Sequence, residues 1–119
     1  MNTIPRKALV VEDVALIRMT TVDMLTEIGI ESVEAGDGKS ALELLSTEPD
    51  IGIVIADLGL PDMSGNQLTV EIRRVKPGVR IVIASGAASA SISPDLADAV
   101  FLPKPFDLEQ LRRAIVGTA

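Results

Sequence analysis

Apolar residues follow two alternating rhythms along this chain. Short and nearly continuous runs such as Leu9-Val10-Val11, Ile51-Gly52-Ile53-Val54-Ile55-Ala56 and Ile81-Val82-Ile83-Ala84 are separated by longer stretches in which apolar positions return every three or four residues. The runs read as strands, and the near-continuous apolarity of the third implies helices on both of its faces. Lys7–Val11 is the first strand, short and β-branched at its end. Asp13 then starts a helix running to about Ile28, with Val14, Ile17, Leu25 and Ile28 on one face, and Gly29 ends it. Ile30–Ala35 alternates enough to be a second, less buried strand. Asp37 caps a second helix whose apolar side is Ala41, Leu42, Leu44 and Leu45, closing before Pro49. Ile51–Ala56 is the third strand. Beyond the Pro61–Gly65 loop, Gln67–Lys76 forms a helix on Leu68, Ile72 and Val75, stopped by Pro77-Gly78. Val79–Ala84 is the fourth strand, and Gly86–Pro94 predicts no firm element. Val100–Leu102 is a short fifth strand, and Asp107 caps a last helix through Leu108, Leu111 and Ile115.

Strands alternating with helices predict an α/β fold, a doubly wound parallel sheet with right-handed crossovers. No repeat, linker or low-complexity tract interrupts the pattern, and 119 residues suffice for one domain but not two. The expectation is a single domain over residues 1–119.

Composition narrows the chemistry. The chain is 47% hydrophobic but only 2% aromatic, so its core is aliphatic. Its two aromatics, Phe101 and Phe106, both lie near Lys104, which makes them candidates for site roles, although packing explains Phe106 equally well. A net charge of −6 opposes nucleic-acid binding. The cluster Arg73, Arg74, Lys76 and Arg80 reads as cations at a helix C-terminus and a solvated turn. With neither cysteine nor histidine, disulfides, thiolate metal sites and a histidine general base are excluded, so any metal would be a hard ion held by oxygens. Met1–Arg6 lacks the apolar core of a signal peptide, and no apolar stretch reaches membrane-spanning length. A cytoplasmic domain with no membrane or direct nucleic-acid partner is expected.

Candidate chemistry sits where strands end. Glu12-Asp13 follows the first strand, Asp57 the third, Ser85 the fourth and Lys104 the fifth. The carboxyl edge of a parallel sheet gathers such residues into one place. Each has an ordinary explanation taken alone: an acidic first helical turn for Glu12-Asp13, a locally satisfied hydroxyl for Ser85, a solvated loop lysine for Lys104. A carboxylate where a buried strand meets a Pro/Gly loop is poorly explained by packing, and that is the setting of Asp57.

The pieces Val10-Val11-Glu12-Asp13, Asp57 with Pro61 and Gly65, Ser85-Gly86, and Lys104-Pro105-Phe106, all in order, resemble the receiver domains of two-component response regulators over nearly the whole chain. The resemblance implies a five-stranded flavodoxin-like sheet of order 2-1-3-4-5, chemotaxis-regulator-like, with the helix between the fourth and fifth strands short or poorly formed. It further implies that Asp57 is the phosphoacceptor in a Mg²⁺-dependent reaction, with Mn²⁺ able to substitute. Asp13, Asp57 and the backbone carbonyl of Gly59 would bind the metal directly, and Glu12 through a water. Lys104 would pair with the phosphoryl oxygens, Ser85 would turn to bond them, and Phe101 would occupy the aromatic switch position. Pro105 is a candidate for a cis peptide that aims Lys104 inward. The donor would be a sensor histidine kinase or a histidine phosphotransfer protein, and the chain a monomer or weak dimer. Such a domain is a self-catalysed phosphoacceptor with slow autodephosphorylation, not an enzyme in the usual sense. Its partner-binding surface would combine the segment 86–98, the fifth strand with Phe101, and the last helix.

Two departures stand out. Gly59 replaces a larger side chain found in many family members, which implies less shielding of an acyl phosphate from water. The stretch between Ser85 and Lys104 is shorter than usual and rich in Ala and Ser, similar to receivers attached to or partnered with hybrid histidine kinases. With no effector segment within 119 residues, a stand-alone regulator or a domain excised from a longer protein is expected. Rival readings fare worse. A haloacid dehalogenase-type phosphatase needs a second acid at position 59 and a cap domain, and a flavodoxin-like binder needs Gly, Ser or Thr where Glu12-Asp13 stands. A phosphorylation-dead receiver is opposed by the filled essential positions.

Overall fold

Five parallel strands form one sheet of order β2-β1-β3-β4-β5 in a computed structural model that describes residues 6–86 and 99–117. The strands are β1 (Lys7–Val11), β2 (Glu31–Ala35), β3 (Ile51–Asp57), β4 (Arg80–Ser85) and β5 (Val100–Pro103). Among the described residues the helices are α1 (Ala15–Ile28), α2 (Gly38–Thr47), α3 (Gly65–Val75) and α4 (Leu108–Gly117). The expected short helix between the fourth and fifth strands falls on residues 87–98, outside the described residues.

The sheet divides the core in two. Side chains alternate across a strand, so Leu9, Val11, Val54, Ala56, Ile81 and Ile83 meet α2 and α3. Ala8, Val10, Ile53, Ile55, Val82 and Ala84 meet α1 and α4. Leu25, Leu68, Ile72, Leu111 and Ile115, which the helices carry into these layers, are at most 1% exposed. Each contributes roughly 2 kcal/mol by leaving water. β2, the edge strand next to β1, is less buried than β1, as its alternation indicated.

Helix ends follow local chemistry. Asp37 caps α2 by accepting the Ser40 N–H at 2.8 Å. Ser64 caps α3 through the Gln67 N–H at 3.0 Å, two residues earlier than the sequence pattern placed the helix. Asp107 and Gln110 cap α4 reciprocally, each backbone N–H donating to the other's side chain at 2.8 Å. Gly29 closes α1 at φ 95°, and the Ile30 N–H reaches back to the Leu25 carbonyl at 2.8 Å.

Three expectations for the helices fail in whole or in part. α1 begins at Ala15 rather than Asp13, with Val14 in the N-cap position and no side chain capping it. Its expected inner face holds at Leu25 and Ile28 and fails at its start: Val14 is 46% and Ile17 37% exposed, while Thr21 is buried. In α3, Val75 is exposed and Thr69 is buried in its stead. The two changes of buried face share a cause. Thr21 and Thr69 donate their hydroxyls to the carbonyls of Ile17 and Gly65, four residues back, at 3.0 and 2.8 Å. A threonine satisfied in this way enters the core as a small apolar side chain.

Candidate functional site

Alternation along the strands decides which face of the sheet each site residue takes. Glu12, Asp57 and Lys104 continue the series 8-10-12, 53-55-57 and 100-102-104, and so lie on the α1/α4 side. Ser85 continues Ile81 and Ile83 toward α2 and α3, and Phe101 packs against that same layer. β3 runs one residue further than the sequence suggested, which takes Asp57 into the ladder opposite Ala84.

Glu12 is held most firmly. It is 4% exposed, and its N–H donates to the Ala35 carbonyl at 3.0 Å. Its Oε1 accepts the Lys104 ammonium at 2.5 Å, and its Oε2 the Val14 N–H at 3.3 Å. Its carbonyl takes Arg18 Nη1 at 2.7 Å, while Arg18 Nε bonds Glu34 Oε1 at 3.0 Å. Arg18 thus ties the β1–α1 turn to β2. This role escaped the sequence reading, although an arginine one helical turn past an acidic pair is a visible signal.

Lys104 is placed by its backbone as well as its charge. Its N–H donates to the Ser85 carbonyl at 2.9 Å, and the Lys104–Pro105 peptide is cis. Its Nζ also lies 3.2 Å from Asp57 Oδ1. Burial pulls the ammonium pKa down, but the hydrogen bond to Glu12 and the charges of Asp57 and Glu12 outweigh it, so the pKa rises above 10.5.

Asp13 is exposed, yet it completes the acidic group: one carboxylate oxygen each from Glu12, Asp13 and Asp57 lies within 4.8 Å of the others. Three carboxylates against one ammonium leave a net negative pocket made of oxygens, which suits a hard divalent cation. Gly59 adjoins it, since a Cβ at that position would stand 3.7 Å from Asp57 Oδ2. On the opposite side, Asp57, Leu58, Gly59, Asn66 and Ser85 line an open cleft of about 360 Å³.

The model of the response regulator receiver domain matches residues 8–116. The chain belongs to this family. Over 111 residues the receiver domain is 37% identical to the sensor kinase CckA of Brucella abortus, covering 90% of this chain and 12% of the kinase. Over 116 residues it is 39% identical to the transcriptional regulatory protein PdtaR of Mycobacterium tuberculosis, covering 94% of this chain and 56% of that protein. The chain thus spans only part of these two relatives. Among solved structures, the response regulator protein TrrA of Thermotoga maritima in complex with Mg(2+)-BeF superposes with a TM-score of 0.86 at 25% identity, over 96% of this chain and 99% of that one. The flavodoxin-like strand order expected from the resemblance is the one observed.

The receiver domain also carries an exposed apolar surface on α1 that the sequence reading did not single out. Leu16 is 74% and Met19 57% exposed on α1. Beside them, Leu16, Ile17, Thr20, Met24, Pro105 and Phe106 line a cleft of about 440 Å³ that reaches Lys104. The signal was present as a surplus: α1 holds more apolar residues than one buried face can use. Of the surface expected from the sequence, residues 87–98 lie outside the described residues, Phe101 is half-buried, and α4 buries Leu111, Ala114 and Ile115. Among the described residues, no helix is long and apolar enough to cross a membrane.

Proposed function

We propose that this receiver domain accepts a phosphoryl group onto Asp57 from a phosphohistidine donor, in a Mg²⁺-dependent reaction, and acts as a cytoplasmic signalling switch. The observation that carries this reading is the meeting of three carboxylates and Lys104 at the carboxyl edge of the sheet.

In the transfer, an Asp57 oxygen attacks phosphorus as the P–N bond to the donor imidazole breaks, and the imidazole takes up a proton. A carboxylate nucleophile attacks directly and needs no general base. Lys104, 3.2 Å from Asp57 Oδ1, lies within reach of new phosphoryl oxygens and can offset part of their charge. Ser85, 5% exposed beside Asp57, offers a hydroxyl to another oxygen. Asp13, Asp57 and the Gly59 carbonyl would hold Mg²⁺ directly, with Glu12 acting through water, and Mn²⁺ would substitute. The cation supplies charge neutralisation between the acids and the incoming phosphoryl group. Hydrolysis later returns Asp57 and inorganic phosphate, and the bare Gly59 leaves the acyl phosphate open to water on one side.

The donor, a sensor histidine kinase or histidine phosphotransfer protein, is proposed to dock on the exposed apolar face of α1. That face runs into the cleft ending at Lys104, so a helix lying on it brings a histidine toward Asp57. A receiver joined to a kinase fits the match to CckA. Incubation with Mg²⁺ and acetyl phosphate, followed by intact-mass measurement, tests the reading: one added phosphoryl group supports it. Protein that stays unlabelled under conditions that label other receivers refutes it.

A further inference from the structure

The loop from Leu58 to Gly65 carries the Gly59 carbonyl, and its anchoring is not local alone. Within the loop, Gly59 and Ser64 form an isolated bridge, and the Gly65 N–H donates to the Leu58 carbonyl at 3.0 Å. A further anchor reaches across to a different helix. Asp62, on the surface, accepts the Gly38 N–H through Oδ1 at 2.9 Å and the Lys39 N–H through Oδ2 at 3.0 Å. These are the first two amides of α2, donors with no partner inside the helix. Asp37 already caps α2 through Ser40, so Asp62 is a second carboxylate on the same end, contributed by the phosphoacceptor loop.

The neighbouring contact is as specific. Met63 lies so close over Gly38 that a Cβ there would stand 2.5 Å from its sulfur. The absence of a side chain at Gly38 leaves the room that the Met63 side chain fills. The hydrogen bonds from Gly38 and Lys39 also lower the Asp62 pKa below the usual 3.8, so the carboxylate stays charged and bonded at neutral pH. Pro61 and Leu60, the latter 8% exposed, leave little slack between this clasp and Gly59.

We propose that Asp62 is a positioning residue for the metal and phosphoryl site: its two-pronged hold on the start of α2 fixes the loop that presents the Gly59 carbonyl. The proposal rests on the metal reading given above. Asp62 touches neither the metal nor the phosphoryl group and acts through the loop.

The test is Mg²⁺ affinity in the unphosphorylated protein, measured by amide shifts in a titration of wild type, Asp62→Ala, Asp62→Asn and a control, Lys76→Met. Lys76 bonds the Pro49 and Ile51 carbonyls at the opposite end of the sheet, so its loss loosens the fold without touching the loop. Affinity is expected to fall about tenfold in Asp62→Ala, as for outer residues that orient ligands. Asp62→Asn, which keeps one acceptor and turns an NH₂ toward the other amide, should fall between. Lys76→Met should match wild type. Affinity in folded Asp62→Ala within about twofold of wild type overturns the proposal alone. So does an equal loss in Lys76→Met, since general loosening would then suffice. A wild type with no saturable Mg²⁺ response overturns the metal reading and this proposal with it.

Discussion

Lys104 Nζ stands 2.5 Å from Glu12 Oε1, closer than the 3.2 Å that separates it from Asp57 Oδ1. The ammonium is therefore shared between the proposed phosphoacceptor and a more deeply buried acid. Phosphoryl oxygens on Asp57 would compete with Glu12 for the same three N–H donors.

Lys104→Ala is expected to destabilise the domain by about 2 kcal/mol at neutral pH, since the buried Glu12 loses its counter-charge. The sign of the pH dependence follows from a raised pKa. The ammonium's contribution is complete below 10.5 and is lost as pH rises through its higher folded value. Urea unfolding of both proteins should show a constant gap from neutral pH up to 10.5 that narrows above it. A gap that widens with pH contradicts the pairing.

Asp57→Asn is expected to abolish labelling by acetyl phosphate while leaving a folded domain. Intact mass with and without Mg²⁺ checks this. Undiminished Mg²⁺-dependent labelling of Asp57→Asn would move the phosphoacceptor to another acid.

Gly65→Ala is expected to disturb the loop directly. A Cβ at Gly65 would stand 2.2 Å from Leu58 Cδ2 and 2.9 Å from Leu58 Cα, and the latter cannot swing away. A loss of about 1–3 kcal/mol should accompany a slower phosphorylation rate. Thermal melts and labelling time courses measure the two effects separately.

Leu16→Glu tests the docking face. Leu16 is 74% exposed, so stability should change by no more than about 0.5 kcal/mol. Transfer from a purified histidine kinase that labels the wild type should fall at least about tenfold, matching the roughly 1.4 kcal/mol of one lost apolar contact. Labelling by acetyl phosphate should not change. Equal loss with both donors would place the defect in the chemistry rather than the docking.

The fold was legible because its strands are short aliphatic runs that only a covered parallel sheet can bury. The edge position of Glu12, Asp57 and Lys104 followed from the same pattern, since each lies just past such a run. What the pattern could not give was the burial of Thr21 and Thr69, whose hydroxyls are satisfied by their own helices. A reading that counts threonine as polar assigns Ile17 and Val75 to the core in their place. The clasp of Asp62 on α2 was hidden for another reason: it joins residues 24 apart in sequence through backbone amides, which carry no residue-specific signal.

The two faces of the sheet give the domain a separable grammar. Glu12, Asp57 and Lys104 address the layer of α1 and α4, whereas Ser85 and Phe101 address the layer of α2 and α3. On the docking proposed above, substitutions on α1 would change who writes the signal without rewording what Ser85 and Phe101 would say on the other side. A lineage could then exchange its upstream partner and keep its downstream message, with Asp57, as the proposed phosphoacceptor, the one word that both sides share.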